Sequence, residues 1–140
     1  MVDGGLRALF RKNITAAMWT SLESPTTGKG IPDSHFIFPG GHEGMVEYKK
    51  IRGWAMPKSE TWTFQIAWHM RYARFGGRSF VAIKRKDKEL WLVPGGLAKR
   101  LDERGLVGIW DRSDTGVRMW SDPWQWDHVA HELKTMRNVA

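Results

Sequence analysis

Apolar and polar positions along the chain switch between two periods, and the switches mark the elements. Leu6, Leu9, Phe10, Ile14, Ala17 and Met18 recur at the spacing of a helix face, with Arg7, Arg11 and Lys12 off that stripe. The pattern predicts a first helix over residues 6–22, ended by Pro25 and the run TTGKG. Residues 31–38 and 45–51 read as strands joined through PGGHEG, a hairpin with a glycine-rich connection. After a loop containing Gly53 and Pro57, Ser59 is placed to N-cap a second helix over 60–74, with Gly76 and Gly77 as its stop. Trp62, Ile66, Met70 and Ala73 form the apolar stripe of that helix, and Gln65, His69 and Tyr72 form a polar row beside it.

Further along, residues 78–84 and 89–93 read as strands about a turn at 86–88. The segment PGG leads into a short helix near 97–104. Residues 107–120 fit one or two edge strands, and 124–136 a closing helix. The expected order is helix, strand, strand, helix, strand, strand, helix, an uncertain strand, helix. This is an α/β domain with one central sheet.

The chain has 140 residues, the size of one domain, and enough to bury a core without covalent staples. Without cysteine there are no disulfides and no thiolate zinc sites, and a cytoplasmic protein is the simplest expectation. No apolar run approaches the roughly 20 residues needed to span a bilayer, and the N-terminal stretch lacks a signal-peptide core, so no membrane partner is expected. A net charge of +7 favours nucleic acid or another anionic surface, and it serves plain solubility equally well. Several of the nine tryptophans stand in polar, basic context, where they are available to stack on bases or sugars.

The stretch IPDSHFIFPGGHEGMVEYKK carries the candidate chemistry. Strand alternation puts Glu47 and Lys49 on one face, with Val46 and Tyr48 on the other. A hairpin centred near Gly41 sets Asp33 across from Lys49, with Glu47 as the diagonal neighbour roughly 7–8 Å away between backbones. A slip of one residue would separate them. Two carboxylates converging on one point suit a hard divalent cation such as Mg²⁺. A lysine beside them orients or deprotonates water, or neutralises developing charge. Phosphodiester hydrolysis uses such a set.

Pro32-Asp33 followed by Glu47-Tyr48-Lys49 resembles the PD-(D/E)XK nuclease signature. The wider run LESPTTGKGIPDSHF, EGMVEYKK and WTFQIAWHMRYARFGGRSFVAI is similar to small phage-type proteins related to the VRR-NUC and Holliday-junction-resolvase nucleases. The likeness spans residues 18–83. It implies a restriction-endonuclease-like core, a central mixed sheet flanked by helices, over about 6–93, with 94–140 as an extension of unassigned role. It implies a Mg²⁺- or Mn²⁺-dependent endodeoxyribonuclease, with Asp33, Glu47 and Glu23 as metal ligands, Lys49 as the catalytic lysine and Gln65 as its helper. It also implies a homodimer acting on branched DNA, in the host cytoplasm if the protein is phage-encoded. The competing expectations are a sequence-specific, nicking or homing endonuclease of the same fold, a DNA-binding protein without catalysis, and an RNA-processing role.

Each residue also has a plainer reading. Asp33 alone is a turn aspartate, Glu47 a solvated strand residue and Glu23 a helix-end acid. Together with Lys49 and the resemblance they read as a metal site. Lys50, Arg52, Trp54 and Lys58, in KKIRGWAMPK, are candidate DNA contacts, against a solvated loop with Trp54 tucked into the core. Lys84, Arg85 and Lys86 read as a solvated turn, and His69 as a residue without a catalytic part. TTGKG lacks P-loop spacing, and His128 with His131 lacks the HExxH order of a zinc protease.

Overall fold

Strands that are apolar on both faces need cover on both sides, and the chain supplies it with helices on each face of one sheet. The computed structural model describes residues 3–22, 30–110 and 116–137. Six strands lie side by side in chain order: β1 (Met18–Ser21), β2 (Ser34–Phe38), β3 (His42–Ile51), β4 (Ser79–Arg85), β5 (Glu89–Pro94) and β6 (Arg118–Ser121). All neighbours are antiparallel except β3 and β4, which run parallel and are joined by helix α2 (Glu60–Arg74). The sheet is therefore mixed.

Alternation along the strands makes two cores. Phe36, Val46, Tyr48, Phe80 and Leu92 face helices α1 (Leu6–Asn13) and α4 (Trp126–Thr135), meeting Leu6, Phe10, Val129 and Leu133. Val81, Ile83, Trp91 and Val93 face α2 and α3 (Ala98–Trp110), meeting Trp62, Leu101, Leu106 and Ile109. The segment after Pro94, unassigned by the resemblance, thus contributes an edge strand and a helix to each face.

The first helix is shorter than its apolar stripe predicts. It ends at Asn13, and Ile14 leaves helical geometry while its N–H still bonds the Phe10 carbonyl. Residues 18–21 form β1 instead, paired with β2 from Met18 opposite Ile37 to Ser21 opposite Ser34. Ladder hydrogen bonds, with Trp19 packed on Phe36 and Phe10, outweigh a helical spacing that Ala17 and Met18 match only in sequence. Met18 is largely exposed.

Helix α2 matches its expected span, with the Ser59 hydroxyl accepting the Trp62 N–H at 3.1 Å. Its buried face is turned from the expected one: Trp62, Gln65, His69 and Ala73 point inward, while Ile66 and Met70 are only partly covered. The two polar residues find partners inside, Lys49 for Gln65 and Ser79 for His69. Residues 107–110, read as candidate strand, are helical. They continue α3 past a break at Gly105 (φ 70°), where a Cβ would lie 2.6 Å from the Trp54 carbonyl oxygen. Among the described residues of this region the strand is β6. Among the described residues no helix is long and apolar enough to cross a membrane.

Candidate active site

The register of the β2–β3 hairpin decides whether the acids meet. Phe38 pairs with His42 and Ser34 with Val46, so the turn is centred at Gly40. One further step sets Asp33 opposite Glu47, where the sequence reading placed it opposite Lys49. The pairing differs by an even number of residues, so Asp33 keeps the face of Glu47 and Lys49. β1 extends the same alignment, since the Leu22 N–H bonds the Asp33 carbonyl at 2.9 Å.

Asp33 is fixed by the chain itself. Its Oδ2 accepts the Tyr48 N–H at 2.9 Å, and its Oδ1 lies 4.0 Å from the Arg7 guanidinium. Glu47 is only 1% exposed. Its Oε2 stands 3.9 Å from Lys49 Nζ, while its buried Oε1 finds no hydrogen-bond partner among the described residues. Burial pushes the Glu47 carboxyl well above the usual carboxylate range, and the Asp33 charge adds to that push against the opposing pull of Lys49. Lys49 Nζ donates to Gln65 Oε1 at 2.6 Å and lies 5.2 Å from the centre of the Trp62 ring. These groups share a cleft of about 600 Å³ whose walls include Arg7, Lys50, Met56 and Trp62.

The structure thus gathers Asp33, Glu47, Lys49 and Gln65, four of the residues singled out from the sequence. Glu23, expected at the end of the first helix, lies outside the described residues, and that helix ends well before it. Among the described residues no group of three or more His, Cys, Asp or Glu side chains clusters as a metal site. The pair Asp33 and Glu47 still suits Mg²⁺, which is commonly held by one or two carboxylates and completes its shell with water and substrate phosphate. The buried Glu47 oxygen without a donor is the feature that fits a cation.

The candidate DNA contacts divide. Lys50 lines the cleft and pairs with Asp87 at 3.4 Å, and Arg52 is exposed. Trp54 is neither buried nor loose: it is partly exposed, with the Arg85 guanidinium stacked on its ring. Lys58 is tied to α3 by the Asp102 carboxylate at 2.8 Å and carbonyl at 2.7 Å. Arg85, read as part of a solvated turn, is buried and bound to Glu89. His69 is fully buried against Ser79, its ring nitrogen Nδ1 2.7 Å from the hydroxyl.

Sequence reasoning missed Arg7, the Tyr48 N–H and the Trp62 ring as parts of the site. Arg7 lying off the apolar stripe of α1 was a signal that it faces away from the core. Nothing in the sequence marks a backbone N–H as the support of Asp33. Compared with models of known protein families, and with curated proteins, the chain has no match.

Proposed function

We propose that this chain is a Mg²⁺- or Mn²⁺-dependent endodeoxyribonuclease with a restriction-endonuclease-like core of the PD-(D/E)XK kind. The observation that carries the reading is the buried Glu47 carboxyl group, one oxygen without a donor among the described residues, set beside Asp33 and the Lys49–Gln65 pair. Asp33 and Glu47 hold the cation, with Glu23 as the further acid the resemblance implies. Bound there, it supplies Lewis acidity toward a phosphoryl oxygen and lowers the pKa of water.

The protein's own groups do the rest. The Tyr48 N–H orients Asp33, and Gln65 Oε1 orients the Lys49 ammonium, so neither side chain must reorganise on binding. Lys49 holds a proton beside the attacking water and offsets charge gathering on the phosphate. Arg7, on the cleft wall, adds positive potential for the DNA backbone. A homodimer, a branched substrate and a cytoplasmic location, the host's if the protein is phage-encoded, belong to the same proposal.

The test is a nicking assay on linear duplex and four-way junction DNA, with Mg²⁺ or with chelator. Wild type is expected to cut only with metal. Asp33→Ala and Glu47→Ala are expected to abolish cutting while keeping DNA binding, and Lys49→Ala to slow it by roughly 10²–10⁴-fold. Binding without metal-dependent cutting by wild type would reduce the protein to a DNA-binding one.

A further inference from the structure

The segment after β3 carries an exposed aromatic ring that the cleavage chemistry leaves unused. Trp54 is 43% exposed, yet it is held from several sides. The Arg85 guanidinium lies 3.3 Å from the centre of its ring, and Trp91 meets it edge-on at 6.2 Å. Its carbonyl accepts the Leu106 N–H at 2.8 Å, an approach that the missing side chain of Gly105 allows. Arg85 is itself buried and fixed, by the Glu89 carboxylate at 3.0 and 3.1 Å and the Gly53 carbonyl at 2.9 Å. Arg85 lies against one face of the indole, and a large part of the residue stays exposed. An aromatic already ordered in this way loses little freedom when a ligand stacks on it.

The surroundings select the ligand. Of the nearby acids Glu89 is paired with Arg85, Asp102 with Lys58, and Asp87 with Lys50 and Lys84, while Glu103, exposed beside Arg104, forms no ion pair with a described residue. Arg52, two residues before Trp54, Arg104 beside Gly105, and Lys86, whose N–H bonds the Ile51 carbonyl, are exposed cations that form no ion pair with a described residue and outnumber the one such acid. A flat apolar ring amid unspent positive charge matches a base carrying its phosphates better than an apolar protein surface. Bases inside an intact duplex keep both faces stacked, so the partner is an unpaired one. Met56 and Pro57, just beyond Trp54, line the catalytic cleft.

We propose that Trp54 is a stacking platform for an unpaired nucleobase at the rim of the cleft, so that a single strand gains a contact there that an intact duplex does not. This deepens the nuclease reading and rests on it for the cut, though not for the binding. The test is binding in chelator, with no cleavage, to an aminopurine-labelled single strand and to its matched duplex. Trp54→Ala is expected to weaken single-strand binding about tenfold and to leave duplex binding within about twofold, while Trp54→Phe keeps most of the affinity. Trp54→Leu, which keeps apolar bulk over Arg85 without a flat ring, is expected to lose the same tenfold and guards against a folding failure in the alanine variant. Equal losses on both DNAs, or none, overturn the proposal. So does sedimentation showing that Trp54→Ala only breaks a dimer, which would assign the patch to a second copy of this chain. Because the readout is binding without metal, a failure of metal-dependent nicking leaves this result standing, and the reverse holds too.

Discussion

Glu47 brings a carboxylate to a place where ionisation is opposed by burial and by Asp33. Its pKa in the metal-free fold lies above the ordinary carboxylate range, so the fold favours the protonated form. The stability this gives is complete below that ordinary range and is lost as pH rises through the raised value. His69 works from the other side. Burial, then the charge of Lys49, lowers its pKa from 6.5 to about 3, so it adds stability above 6.5 that drains away as pH falls toward 3. Thermal melts in chelator across a pH series should therefore show Glu47→Gln more stable than wild type at neutral pH, by roughly 1 kcal/mol, with less stability lost as pH rises above the ordinary carboxylate range. A bound divalent cation should remove that advantage by favouring ionised Glu47 in wild type. A Glu47→Gln protein that melts lower than wild type in chelator at neutral pH would contradict this account of the site.

Helix α2 sets the position of Gln65, and through it of Lys49, so its first turn matters to the site as well as to the fold. The Ser59 hydroxyl satisfies the Trp62 N–H, and the Trp62 ring forms the wall beside Lys49 while its own Nε1 donates to Asp102 at 3.0 Å. Ser59→Ala removes that cap and should cost about 1 kcal/mol in chemical denaturation. Unchanged stability would mean that packing of Trp62 alone holds the turn. At the hairpin, the acids meet because the turn is centred at Gly40 and the pairing differs from the expected one by an even step.

For the molecule as a whole, the net charge of +7 is the property that a polyanion meets first. DNA affinity should fall steeply with salt, the log–log slope steepening by about 0.9 for each phosphate neutralised. Titrations from low to moderate salt check this, and a flat response would remove DNA as the main partner. Both faces of the sheet are covered, α1 and α4 on one and α2 and α3 on the other. The cleft opens at the sheet where Asp33 enters β2 and Glu47 and Lys49 lie on the α2 face.

Features under local control were legible along the chain. Alternation in MVEYKK put Glu47 and Lys49 on one face, the Ser59 cap started α2, and paired glycines ended it. The α/β class followed from the order of the periods. Features that depend on distant partners were not legible in this way. Residues 18–21 became strand because β2 offered a ladder, and α2 turned Gln65 and His69 inward because Lys49 and Ser79 awaited them. Arg85 became buried, and Trp54 fixed, through contacts with Glu89 and Gly105 that no spacing rule foretells. The physical reason is one of range. Propensity and period act between neighbours in the chain, whereas pairing, burial and the partners of charged groups are settled between residues that folding alone brings together.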